Sequence, residues 1–442
     1  MVVPSSSESW SSAPATGLEV RPFRALTYRR RDPEHLARVS SPAYDLVTAA
    51  GRDRLAEADP HNIVRLILPR LDPGPGTDGA DDERAGRSAE LAAAMLAEWC
   101  AHGVLDRDDR PALWLYEMTS PGDGAATTGW LGAVGLPGPG SAAVLPHEDT
   151  YPLAVEGRRA LLAATATDLE PIVLAHDADP EVAELTASAR DGAPTLEVAD
   201  DDGVLHRLWR VIDEALLTRL RAALARTGAV IADGHHRFAA ARANARLQPD
   251  LPGGDAVLAL VTPMGPGGLR VDAIHRVVPD LRLDAAVGSV VNAFRVDEVA
   301  TSGPDGTVAA IGRWLAAPGR GEFLLSDGTR VVRLSAPAPS VVAAVPAEAP
   351  PAWRGLDVVL AHHGLLTGLW HRRDDPDSVL IAHSVDEALR TARERAGVAL
   401  LLKPPSPADV AAVARAGARM PRKSTLFVPK PRTGLVLRPL AD

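Results

Sequence analysis

Four apolar residues, Ala229-Val230-Ile231-Ala232, run directly into Asp233-Gly234 and then into an Ala- and Arg-rich helical pattern from His235 to Leu247. A short apolar strand needs a sheet, and the helix that follows needs a sheet face to cover, so this junction commits the chain to a layered α/β arrangement. It also aims the free N–H groups of a helix N-terminus at one point, an arrangement suited to an anion.

The rest of the chain repeats the alternation. An extended piece around Phe23 to Tyr28 is followed by a turn at Ser41-Pro42-Ala43-Tyr44-Asp45 and a β-like run from Ile63 to Leu68. A Pro/Gly loop at 72–79 precedes a long amphipathic helix that Asp81 and Asp82 can cap and that ends near Gly103. Leu113 to Met118 and Trp130 to Leu136 read as a hairpin. A helix from Glu156 to Thr165 and a strand from Ile172 to Ala175 come next. The acidic stretch from Asp177 to Asp202 is weakly patterned, whereas Val211 to Leu224 places Ile212, Leu216, Leu220 and Leu224 on one helical face. Strands at Ala256 to Val261 and up to His275-Arg276 close this unit. The expected organisation is a tail at 1–18 without fixed structure, a core at 19–280 with insertions, and a C-terminal α/β domain at 281–442.

Composition narrows the function. With 47 Lys and Arg against 57 Asp and Glu, the formal charge is −10, and only 4% of residues are aromatic, so neither a basic footprint nor a stacking platform for nucleic acid is present. Cys100, the single cysteine, forbids an internal disulfide and every multi-cysteine metal site. Its place among Leu91, Met95, Leu96 and Trp99 predicts a buried structural thiol. There is no charged and apolar leader and no apolar run of about 18 residues, so a cytoplasmic protein without a membrane span is expected. The GxxxxGK[ST], GxSxG, HExxH and strand-to-helix GxGxxG patterns are missing.

Three clusters carry chemistry. Asp233-Gly234-His235-His236-Arg237 combines a permissive glycine, imidazoles and a guanidinium fork for phosphate oxygens, with Asp233 able to hold a divalent metal or orient a hydroxyl. The plainer reading makes Asp233 a helix cap beside surface histidines. Pro146-His147-Glu148-Asp149-Thr150 offers Glu148 as a general base, or is a solvated acidic loop that caps a helix. Met420-Pro421-Arg422-Lys423-Ser424-Thr425, with Lys430 beyond it, suits phosphate or carboxylate, or is a basic surface strand. His275-Arg276 and His362-His363 are lesser candidates, the latter pair read as structural.

In order along the chain, RPFRAL at 21–26, SPAYDLV at 41–47, PHNIVRL at 60–66, PHEDT at 146–150, ADGHHRF at 232–238, HRVV at 275–278 and MPRKSTLFVPKPRTGLVL at 420–437 resemble the bacterial and archaeal family known as domain of unknown function 1015. The DGHHR block also resembles the phosphate motif of the ParB/sulfiredoxin superfamily, which includes free serine kinases. This resemblance implies a mixed α+β protein with a ParB/sulfiredoxin-like nucleotide-binding core and inserted and C-terminal α/β elements.

It further implies a kinase that moves phosphate from ATP or ADP, with Mg²⁺, to the hydroxyl of free L-serine or a similar metabolite. Asp233 and His236 would be catalytic with Glu148 as base, and Asp233 would hold the metal. Gly234, His235, His236, Arg237, Lys423, Ser424 and Thr425 would bind the nucleotide phosphates, and His147, Thr150 and Lys430 the acceptor. The long interval from Glu148 to Asp233 requires an insertion, placed around Asp177 to Asp202. Phe238 is followed by Ala239 where the family carries an acid, and Arg419 and Arg422 are more basic than its pattern. A non-catalytic ParB-like nucleotide switch and a metal-dependent phosphoesterase are the alternatives; the expected partner is a small molecule, with no nucleic acid or membrane and no oligomeric state implied.

Overall fold

The computed structural model describes residues 17–71, 81–122, 124–138, 140–265, 267–301, 303–373, 375 and 377–441. Nearly all of the expected tail and the whole Pro/Gly loop at 72–79 lie outside them. The chain divides into two compact units, Met1–Leu269 together with Pro429–Asp442, and Arg270–Val428. The expected single boundary near residue 280 is thus replaced by an excursion and return. The C-terminal stretch is held in the first unit by Leu26 and Leu437, which exchange backbone N–H···O bonds, and by an Arg438–Asp168 ion pair of 2.6 Å.

In the first unit, nine strands form one mixed sheet. Its strands are β1 (Val20–Arg21), β2 (Leu113–Thr119), β3 (Ala126–Gly135), β4 (Val144–Leu145), β5 (Ile172–His176), β6 (Leu196–Ala199), β7 (Leu205–Val211), β8 (Ala229–Asp233) and β9 (Ala256–Pro263). They lie in the order β4-β8-β5-β9-β3-β2-β7-β6, with β1 added on β3. β8 runs parallel to β4 and antiparallel to β5, and β9 runs parallel to β5 and antiparallel to β3.

The helices α1 (Ala49–Ala58), α2 (Asp81–Ala101), α3 (Pro152–Thr165), α4 (Glu214–Leu224) and α5 (His235–Leu247) accompany the sheet. Successive residues of a strand face opposite sides, and here both sides are covered. Trp114, Tyr116, Leu258 and Leu260 join Leu96, Trp99 and Leu161 in one core. Leu113, Leu115, Val257 and Ala259 join Leu217, Leu220 and Phe238 in the other. That is why β9 reads AVLALV without a polar face.

Three sequence expectations are corrected here. Ile63 to Leu68 contains a helical turn at Val64–Ile67, not a strand, because the Asn62 side chain accepts from Val64 N–H at 2.9 Å and starts the turn. A short, wholly apolar run does not distinguish the two by its period. Val211 ends β7, and α4 begins only at Glu214, capped by Asp213, which accepts from Leu216 N–H at 2.8 Å; Ile212 is exposed. Cys100 is exposed, since the buried face of α2 runs through Ala89, Ala92, Leu96 and Trp99 and the next residue turns away from it. The weakly patterned Asp177 to Asp202 stretch folds into a helix at Pro180–Ser188, capped by Asp179, and the edge strand β6.

The second unit carries a six-stranded antiparallel sheet in the order Arg295–Val299, Val331–Ser335, Phe323–Ser326, Val398–Leu401, His275–Val278 and Leu380–Ala382. The hairpin expected at Ser326 to Thr329 joins two of these strands. Ile311, Leu324, Leu389 and Leu401 belong to its core.

Candidate active site

β8 ends on Asp233 with a register shift against β5 just before it. Gly234 follows at φ 91° and ψ 30°, the left-handed region, and α5 starts at His235. A Cβ at Gly234 would stand 2.7 Å from Ile172 Cγ2, so both the dihedral and the space select glycine. As N-cap, Gly234 brings no side-chain oxygen to the first helical turn.

Asp233 is the centre of a charged cluster. Its Oδ1 accepts from Lys430 Nζ at 2.7 Å, and its Oδ2 accepts from Arg237 Nη2 at 2.5 Å. The Lys430 ammonium also donates to Asp45 Oδ2 at 2.5 Å. Burial alone would lower the Lys430 pKa, but Asp233 and Asp45 outweigh it and hold the ammonium above its ordinary value. Arg237 is likewise buried, and Glu170 and Asp233 keep its guanidinium charged against desolvation. Its Nη1 donates to Pro171 O at 2.7 Å, whereas its buried Nε has no hydrogen-bond partner.

Glu170, itself buried, accepts from Tyr44 N–H and from the Thr433 hydroxyl, both at 3.1 Å. The Tyr44 ring lies under two guanidinia, Arg158 at 4.3 Å and Arg237 at 5.5 Å from its centroid. Burial pushes the Tyr44 phenol up, with Arg237 and Arg158 opposing.

The 147–151 segment is fastened to the first turn of α5. His147 N–H donates to His235 Nε2 at 3.3 Å, and their rings meet edge to face at 4.7 Å. Tyr151 N–H donates to His236 Nε2 at 3.2 Å, and those rings stack at 5.8 Å. Both imidazoles therefore accept on Nε2, a role that requires this nitrogen to be unprotonated. Glu148 is half-buried, and Thr150 is exposed, on the stretch so fastened.

Of the sequence candidates, Asp233, Arg237 and Lys430 meet through hydrogen bonds, and His147 meets His235. Lys423, Ser424 and Thr425 belong to the second unit. There Arg276 Nη2 donates to the carbonyls of Arg422 and Lys423 at 2.9 and 3.0 Å, and the buried Ser424 hydroxyl donates to Pro421 O at 2.5 Å. In the same unit His275 Nδ1 accepts from Leu402 N–H, and burial pushes this imidazole down to about 4.

Sequence reasoning missed Asp45, Tyr44, Glu170 and Thr433. The SPAYDLV and PRTGLVL segments contain three of them, so a sequence signal existed for Tyr44, Asp45 and Thr433. Glu170, two positions after Asp168, belongs to no motif and left no local pattern.

Among the described residues no group of three or more His, Cys, Asp or Glu side chains is arranged to hold a metal. The donors that fit Mg²⁺ are the Asp233 and Asp45 carboxylates, hard oxygens that converge on one cationic point, the Lys430 ammonium.

A family model described as a protein of unknown function (DUF1015) matches residues 20–359. The chain belongs to that family. No curated protein matches this DUF1015 chain. Among solved structures, a C-terminally truncated SbnI from Staphylococcus aureus aligns at a TM-score of 0.35 with 12% identity, over 70% of this chain and 88% of the other. A free serine kinase in complex with AMP aligns at 0.28 with 13% identity, over 65% and 84%. A conserved hypothetical protein from Pyrococcus furiosus aligns at 0.27 with 13% identity, over 65% and 87%. Likeness at this level assigns no function to the DUF1015 chain.

Proposed function

We propose that the protein is a small-molecule kinase that transfers phosphate from ATP or ADP to the hydroxyl of free L-serine or a similar metabolite. The observation that carries this reading is the Asp233 node: a carboxylate at a strand-to-helix turn, flanked by two desolvated cations, with a second carboxylate, Asp45, on the far side of Lys430. Phosphoryl transfer asks mainly for positioning and charge neutralisation, and this cluster supplies both. The DGHHR resemblance points the same way, as does a net charge of −10 that disfavours nucleic acid as substrate.

In this reading Arg237 binds the phosphates, Lys430 is moved from the acceptor to the phosphates because it shares the Asp233 carboxylate with Arg237, and the glycine-capped first turn of α5 brings backbone N–H groups toward them. His235 and His236 hold the 147–151 segment against that turn, so that Glu148 accepts the proton of the attacking hydroxyl. The acceptor oxygen forms a bond to the terminal phosphorus as the bond from phosphorus to the nucleotide's bridging oxygen breaks, and the nucleotide leaves one phosphate shorter. Mg²⁺, held by Asp233 and Asp45, would neutralise phosphate charge. Lys430 must then exchange its carboxylate partners for phosphate oxygens. His147 and Thr150 are assigned to the acceptor. A cytoplasmic setting, where both nucleotides are abundant, belongs to the same proposal; no helix among the described residues is long and apolar enough to cross a membrane.

The test is mass-spectrometric detection of phosphorylated product after incubation with Mg²⁺, ATP or ADP, and a pool of hydroxylated metabolites that includes L-serine. Product is expected with the native chain and lost in Glu148→Gln and Asp233→Asn. Nucleotide binding without any product would overturn the catalytic reading.

A further inference from the structure

A cavity of about 360 Å³ opens in the first unit beside α1, α2 and α3, with Val47, Thr48, Arg52, Leu68, Arg70 and Arg158 in its wall. Its size is at the low end of the ~300–1,000 Å³ range of small-ligand pockets. In a chain of net charge −10, three guanidinia converge on this one space.

Their charge is poorly balanced from within. Arg70 is paired with Asp53 at 2.6 Å, and Arg52 reaches the same carboxylate only at 3.4 Å. Among the described residues, no carboxylate pairs with Arg158. Each inner guanidinium is instead fixed by a backbone carbonyl: Arg52 Nε donates to Leu68 O at 3.2 Å, and Arg158 Nη1 donates to Ile67 O at 2.9 Å. The anchors set the forks in place and leave further N–H groups of both unspent. Arg52 is only 16% exposed, so its charge is not dissipated in bulk water. Two held forks with donors to spare match the planar, paired oxygens of carboxylates and phosphates.

We propose that this cavity is a binding site for a small organic dianion, with Arg52 and Arg158 as its charge-recognising residues and Val47 and Leu68 against the ligand's carbon skeleton. The site is set one aromatic ring away from the Asp233 cluster, because Arg158 and Arg237 both lie on the Tyr44 ring. The inference does not rest on the kinase reading, since anion binding is measured directly and without nucleotide.

The experiment is isothermal titration of the full chain with succinate, a dicarboxylate, and with glycerol 3-phosphate, a phosphate ester; the stronger of the two identifies the preferred anion. Saturable binding is expected to weaken about tenfold or more in Arg52→Gln and in Arg158→Gln, the loss of one charge-assisted contact each. Gly157 also lines the cavity, and a Cβ there meets nothing within 4 Å, so Gly157→Leu is chosen to obstruct the space beside Arg158. This variant should lose the anion and keep a cooperative urea unfolding transition, and it decides the matter if an arginine variant fails to fold. Absence of binding of either anion to the native chain at millimolar concentration overturns the proposal. So does binding that survives in Gly157→Leu.

Discussion

Removing the Lys430 ammonium tests whether the Asp233 cluster is held together as its geometry implies. In Lys430→Met, Asp233 keeps Arg237 on Oδ2 but loses its partner on Oδ1, and Asp45 loses a 2.5 Å contact. A charge-assisted hydrogen bond contributes about 1.5–3 kcal/mol. The Asp233 arm deserves nearly that, because the two side chains are 14% and 11% exposed. The Asp45 arm is discounted for solvent screening, since Asp45 is 33% exposed, to about 0.5 kcal/mol. Urea titrations of Lys430→Met, Asp233→Asn, Asp45→Asn and the two double variants give both couplings directly. The expected values are about 2 kcal/mol with Asp233 and about 0.5 kcal/mol with Asp45. A coupling with Asp233 no larger than that with Asp45 would refute the reasoning. The pH dependence has a definite sign. A lysine whose folded pKa is raised contributes stability that is complete below its unfolded pKa, here 10.5, and is lost as pH rises through the folded value. The native chain should therefore lose stability above that pH more steeply than Lys430→Met.

Gly234→Ala places a Cβ against Ile172 at φ 91°, and should cost at least about 1–2 kcal/mol by the left-handed penalty alone, read as a lower urea midpoint. An unchanged midpoint would contradict the assigned turn. Arg438→Met strands the buried Asp168 carboxylate, which otherwise receives Arg438 at 2.6 Å and Leu258 N–H at 2.8 Å, and should destabilise by about 3–5 kcal/mol; the double variant with Asp168→Leu should recover much of that. For His275, burial depresses the folded pKa to about 4, so its contribution is present above the unfolded 6.5 and is lost as pH falls toward 4. An NMR titration should place this imidazole's midpoint near 4, and a midpoint near 6.5 would show that the site is open to water.

Where the structure follows a repeating physical pattern, the sequence was readable. The β8–α5 junction announced itself because an apolar run, a left-handed glycine and a helical pattern stand side by side. The hairpin of β2 and β3 was legible for the same local reason. Ile63 to Leu68 was not, because the residue that decides between strand and turn is Asn62, acting through a side-chain hydrogen bond. The burial of Cys100 was misjudged because neighbouring apolar residues on a helix face different ways.

Of the site, local reasoning found Asp233, Arg237 and Lys430 but not their meeting. Lys430 is 197 positions from Asp233 and 385 from Asp45, and only the return of the C-terminal stretch to the first unit closes those distances. Nothing in the composition or spacing of a segment encodes such a return. Glu170 escaped because a buried carboxylate is recognised by the donors around it, here Tyr44 and Thr433.

The central claim is phosphoryl transfer at the Asp233 cluster, and ³¹P NMR of the native chain with Mg²⁺, ATP or ADP, and L-serine addresses it most directly. The account predicts a new phosphomonoester resonance that grows in step with loss of the terminal phosphate of the nucleotide and needs the acceptor to be present. Release of inorganic phosphate alone, or no change with nucleotide bound, would contradict it.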